Sequence, residues 1–146
     1  MMTALMFRNV DADPTDPLDT WPHEAFQVAI EHGLLADWRL IAHHIDARPF
    51  GPAAATLAEV LEYIDDSVGE FLLRDRLEKA RARAVHAAVD GEVRELGRLL
   101  STSGLTQREL ARRIGTSKSR LSTWLGGKQT PSMPVIAKIR LALASA

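Results

Sequence analysis

Apolar residues recur about one helical turn apart along most of the chain. In HEAFQVAIEHG they fall at Phe26, Ala29 and Ile30, and the run stops at Gly33. In LLADWRLIAHHIDA they fall at Leu34, Trp38, Ile41 and Ile45. PFGP at 49–52 breaks the pattern, and AAATLAEVLEYIDDS resumes it with Leu57, Val60, Leu61 and Ile64 on one face. A 3.6-residue period marks amphipathic helices, and Gly and Pro mark their ends. No helix breaker separates Glu70 from Val89, so VGEFLLRDRLEKARARAVHAAV predicts a connecting helix. Its RDRLEKARARA portion has strong helix formers and opposite charges a turn apart. Asp90-Gly91 either interrupts this helix or lets it run on into EVRELGRLLS. TALMFRNV is a candidate short strand, and NVDADPTDPLD, dense in Pro and Asp, reads as an arm or loop. Thr20-Trp21-Pro22 reads as a helix start with Thr20 as its cap.

These elements predict an all-α protein. A flexible arm spans 1–20, a helical domain of unknown role 21–66, the connecting helix 67–89, and a second helical bundle 90–146. The core expected in the N-terminal half is Trp21, Phe26, Ile30, Leu34, Trp38, Ile41, Ile45, Leu57, Leu61 and Tyr63. A chain of 146 residues accommodates one ordinary domain or two small ones.

Charge sharpens this division. The net charge is only −1. Residues 1–73 nevertheless hold 3 basic and 13 acidic side chains, whereas residues 74–146 hold 15 basic and 6 acidic ones. Beyond Glu109 none of the last 37 residues is acidic. Such asymmetry points to two parts with different partners, and the basic part suits a polyanion.

Local signals are densest in the basic part. Thr106-Gln107-Arg108-Glu109 fits a capping box, with Thr106 capping one amide and Glu109 reaching back. A short helix follows with Leu110, Ala111 and Ile114 inward, the small Ala111 permitting a close helix crossing. Gly115 stops it. Thr116-Ser117 then caps a second short helix, Lys118 to Leu125, with Leu121, Trp124 and Leu125 apolar, and Gly126-Gly127 ends that one. Thr130-Pro131-Ser132 starts a further helix with Val135, Ile136, Ile139 and Leu143 inward. Two short helices joined by a Gly-containing turn make a helix-turn-helix. The second helix exposes Lys118, Ser119, Arg120, Ser122 and Thr123, cationic or small polar groups suited to base edges and phosphates in a major groove.

GLTQRELARRIG, the following TSKSRLSTW, and GGK with PS and a final helix resemble the Cro/C1-type helix-turn-helix family, the XRE family of transcriptional regulators. The resemblance covers residues 91–146. It implies a compact lambda-repressor-like bundle that binds operator DNA, commonly as a dimer. Carried over by position, it implies base reading by Lys118, Ser119 and Thr123, with Ser122 beside them. It implies phosphate contacts from Gln107, which also braces the recognition helix, and from Arg120 and Lys128. The Gly126-Gly127 loop is where amides, Gly127 among them, face phosphate. Many relatives have Arg where this chain has Leu100 and Glu where it has Leu125, forming a buried ion pair. Losing one partner costs about 3–5 kcal/mol, but replacing both by apolar groups is often neutral. Leu100 and Leu125 are therefore expected to touch. Gly126 removes a polar side chain that many relatives carry, and with it one phosphate contact.

Other chemistry is not expected. Arg112 and Arg113 suit the C-terminal end of their helix, and Trp124 is spaced as core. His43, His44 and Asp46 lack metal-ligand spacing, and no serine has a His–acid partner pattern. Glu59, Glu62, Asp65 and Asp66 read as a solvated face. Neither an enzyme nor a cofactor is expected. No apolar run reaches the ~20 residues of a membrane span, the N-terminus lacks signal-peptide order, and there is no cysteine. The default is a cytoplasmic, bacterial-type regulator. Its expected partners are double-stranded DNA, a second copy of the chain, and a protein partner for the acidic N-terminal half. A dimeric repressor is the leading expectation; an antitoxin-like module that neutralises another protein and regulates itself through DNA is the alternative.

Overall fold

The computed structural model describes residues 5–65 and 67–146. Among the described residues the fold is all-α, with no strand. A short 3-10 helix at Leu18–Thr20 precedes α1 (His23–His32), α2 (Leu35–Ala47), α3 (Pro52–Leu61), α4 (Val68–Ser103), α5 (Gln107–Ile114), α6 (Lys118–Leu125) and α7 (Met133–Ala144). The chain divides into two compact units, residues 1–84 and 85–146. The α4 helix belongs to both, because Asp90-Gly91 does not interrupt it. One glycine costs a helix about 1 kcal/mol relative to Ala, which the helix formers on either side outweigh.

The first unit is built on α1 and α3. Phe26, Ala29 and Ile30 of α1 and Leu57, Val60 and Leu61 of α3 are almost wholly buried, with Ile41 and Ile45 of α2 and Leu73, Leu77 and Ala80 of α4 around them. Two expected core residues lie outside it: Leu34 is 61% exposed and Tyr63 57%. Leu34 caps α2 in an extended conformation and Tyr63 follows the end of α3, so neither sits on the helical face its spacing suggests. Asp37 in the first turn of α2 reaches back to the cap residue, its Oδ2 accepting from Leu34 N–H at 2.9 Å.

Residues 5–20 are no free arm. Leu5 and Leu18 are buried in the core, and Phe7, Val10 and Ala12 pack against it. Phe7 meets Trp21 edge-on at 5.0 Å. Thr20 does not cap α1; its hydroxyl donates back to the Pro17 carbonyl at 2.7 Å, and Pro22 holds the cap position. Asp19 ties three elements together. Its carboxylate accepts from His44 Nε2 at 3.0 Å, from the Ala53 amide at 3.1 Å and from Arg48. The acid Asp66 lies outside the described residues.

The second unit packs Leu96 and Leu100 of α4 with Leu110, Ala111, Leu121 and Ile139. Ile114, Trp124, Leu125, Val135, Ile136 and Leu143 close around that cluster. Leu100 is thus core and Leu125 packs against the same cluster, so neither position buries a charge. Trp124 belongs to this packing.

Candidate nucleic-acid interface

Caps and turns fix α5 and α6 locally. Thr106 Oγ1 accepts from the Glu109 amide at 3.1 Å, and Ser117 Oγ accepts from the Arg120 amide at 3.1 Å. Each side chain satisfies one of the orphan donors at a helix N-terminus. Both helices end in the same closure. Gly115 adopts φ +79°, so the Thr116 amide can donate to the Ala111 carbonyl at 2.9 Å and the Gly115 amide to Arg112 at 3.3 Å. Gly127 adopts φ +75°, the Lys128 amide donates to Thr123 at 3.1 Å, and the Gly127 amide donates to Trp124 at 3.1 Å. This is the glycine-dependent Schellman arrangement.

That closure corrects one expectation. The Gly127 amide, placed by resemblance at a phosphate, is turned inward to finish α6. The exposed Lys128 side chain is the group this turn presents to solvent.

The other expected contacts lie as follows. Lys118 is the first residue of α6, and Lys118, Ser119, Arg120 and Ser122 are exposed. Thr123 is half-buried, with its hydroxyl donating to the Ser119 carbonyl at 3.0 Å, so its oxygen can still accept. Gln107 opens α5 and is half-buried. Gln107 and Lys118 line one open cleft of about 550 Å³ together with Thr106 and Arg108. Arg108 is the residue that motif reading passed over. No acid stands three or four residues from it in either direction, so the sequence held the signal that its charge is unpaired.

Charge pairing divides the surface of this unit. Glu109 does not reach back to complete a capping box. Its carboxylate accepts from Arg112 at 2.7 Å and from Arg113 at 3.2 Å, and these hydrogen bonds, Arg112 first, hold it down to about 2. Glu95 is lowered by its bond from Arg98. Glu92 pairs with Arg140, and Asp90 with His86 at 3.3 Å. Every acid of residues 85–146 is so engaged. Arg94, Arg108, Lys118, Arg120, Lys128 and Lys138 have no ion-pair partner among the described residues.

Residues 72–142 match the family model of a helix-turn-helix domain. The C-terminal part of the chain is a helix-turn-helix domain of Cro/C1 type. The match begins inside α4, before the compact unit itself begins. No curated protein and no solved structure matches the chain. In the helix-turn-helix domain α5 is the first motif helix and α6 the recognition helix, whose leading residues ordinarily meet base edges. Among the described residues no helix is long and apolar enough to cross a membrane, and no cluster of three His, Cys, Asp or Glu is placed to hold a metal ion.

Proposed function

We propose that the protein is a cytoplasmic, sequence-specific transcriptional regulator that binds duplex DNA as a dimer and acts as a repressor. The observation that carries this is the outward face of α6: Lys118, Ser119 and Ser122 stand free in solvent while the acids of the domain are held by other cations. Lys118, Ser119, Ser122 and Thr123 read bases. Gln107, Arg108, Arg120 and Lys128 hold phosphates. Selecting bound duplexes from a random library with the full chain tests this. A palindromic consensus is the expected result, with half-sites about 34–36 Å apart, one helical turn. No enrichment at low ionic strength overturns it, since phosphate contacts are strongest there.

Apolar surface on the first unit favours a second role for the acidic half. Leu35, Trp38 and Leu72 line a groove of about 200 Å³ between α2 and α4. Leu34, Leu40, Val68 and Phe71 are each more than half exposed. Exposed apolar side chains and an apolar-lined groove are features of protein-binding sites. If the full chain sediments as a monomer and a separately encoded protein covers this surface, the antitoxin-like function replaces the dimeric repressor. If the chain alone sediments as a dimer, the surface serves a second copy.

A further inference from the structure

The middle of α4 runs beside the turn that ends the recognition helix. His86, Asp90 and Arg94 form one wall of an open cleft of about 370 Å³, and Leu125, Gly126 and Gly127 form the other. The two glycines put bare backbone on that wall, so a bulky group can come close. A Cβ on Gly127 would meet nothing within 4 Å. Lys128 follows immediately and is exposed.

Arg94 is the free charge of this cleft. It is exposed and has no hydrogen-bond or ion-pair partner among the described residues. Four residues further along the same helix, Arg98 is held by Glu95 at 2.7 Å. The cleft's one acid, Asp90, is already paired with His86 at 3.3 Å. An Arg guanidinium left unpaired across a cleft from bare backbone is well suited to phosphate, because its fork presents several donors at once.

We propose that α4 extends the DNA interface: Arg94 binds a backbone phosphate at the far end of the recognition helix, beyond the contact made by Lys128. This rests on the DNA-binding function above and adds to it a residue outside the helix-turn-helix motif. A phosphate seated there sits near the Asp90 carboxylate, so Asp90 opposes binding while Arg94 promotes it.

The two groups therefore move affinity in opposite directions. On a duplex bound by the full chain, Arg94→Ala should weaken binding alike on specific and random sequence. The slope of log K against log salt should fall in magnitude by about 0.9, the loss of one phosphate contact. Asp90→Asn should tighten binding on both. Arg98→Ala, which removes a cation already paired on the same helix, should leave the slope unchanged. The alternative role for Arg94 is to complement the carbonyl end of α6. That role predicts a lower melting temperature with an unaltered salt slope, and this outcome overturns the proposal. A slope lost equally in Arg98→Ala overturns it too, since net charge alone would then explain the effect. If the unmodified chain binds no duplex at all, it is the DNA-binding function that fails. If it binds and Arg94→Ala keeps the slope, only the Arg94 contact fails.

Discussion

Gly69 lies flush against Trp38. A Cβ built on residue 69 would stand 2.7 Å from the indole Cε2 and 2.8 Å from the Ile30 carbonyl oxygen. Neither neighbour is free to yield. The Trp38 indole N–H donates to the Ala29 carbonyl at 2.9 Å, and Ile30 is 1% exposed. The first turn of α4 thus seats on α1 and α2 only because residue 69 has no side chain. Gly69→Ala should destabilise the first unit by about 1–3 kcal/mol, the usual range for overpacking a filled site. Urea denaturation read by tryptophan fluorescence checks this; an unchanged midpoint would mean that α4 starts elsewhere.

Two other glycines of the same helix behave oppositely. A Cβ on Gly91 or Gly97 meets nothing within 4 Å, and both residues are helical. Each therefore carries the entropic penalty of glycine with no packing reason for it. Gly91→Ala and Gly97→Ala should each stabilise by about 0.5–1 kcal/mol. Thermal melts of the single and double variants check both the sign and the additivity. A destabilised Gly91→Ala protein would show that the backbone at Asp90-Gly91 leaves the helix in solution.

Acid should loosen the first unit through Asp19. The hydrogen bond from His44 is the largest influence lowering its carboxyl, followed among the lowering effects by the Ala53 amide and the charges of His44 and Arg48. A carboxyl lowered on folding contributes stability above its unfolded value, about 4. That contribution is lost as pH falls from there through the folded value. The melting temperature should drop below about pH 4. Asp19→Asn should melt lower than the parent at pH 6 and converge with it in acid. Parallel curves for the two proteins across that range would remove Asp19 from the acid response.

Most of the helices are legible in the sequence because periodicity and caps agree there. Thr106, Ser117 and Ser132 each cap the helix they were expected to start. Failures cluster where side chains act across space. Pro and Asp density in residues 9–19 reads as a loop, which holds as far as the 3-10 helix at Leu18–Thr20, yet says nothing of Leu5, Phe7 and Leu18 reaching the core. Only half of the capping box at Thr106 forms: Arg112 and Arg113, three and four residues on from Glu109, win its carboxylate from a backbone amide. The Gly126-Gly127 pair announces a helix end, but the chain alone does not reveal that the Gly127 amide closes it. Arg108 and Arg94 escaped because the motif describes α5 and α6 as a pattern, whereas an interface depends on which cations the fold leaves unpaired.

Base readers and phosphate holders should separate by specificity. Lys118 opens the recognition helix, while Lys128 lies past its end. Lys118→Ala should cost about 1–3 kcal/mol on the selected site and little on random duplex. Lys128→Ala should weaken both alike and reduce the salt slope by about 1. Titrations of both variants on both duplexes settle the division; identical behaviour would dissolve it.

Glu109 is the last acid of the chain, and it restrains two cations of α5 at once. Held at about 2, it stays charged throughout the physiological range, so no change of pH between 5 and 8 relieves that restraint. Only substitution does. Glu109→Gln removes one negative charge from the domain and releases Arg112 and Arg113. The Thr106 cap survives, because it uses the backbone amide of residue 109 and not its side chain. Binding should therefore tighten on every duplex, with a steeper salt dependence and no change in preferred sequence, since neither arginine belongs to α6. An altered consensus would instead place Arg112 or Arg113 among the groups that read bases. Weaker binding would show that the two pairs hold α5 in place rather than hold its charge back.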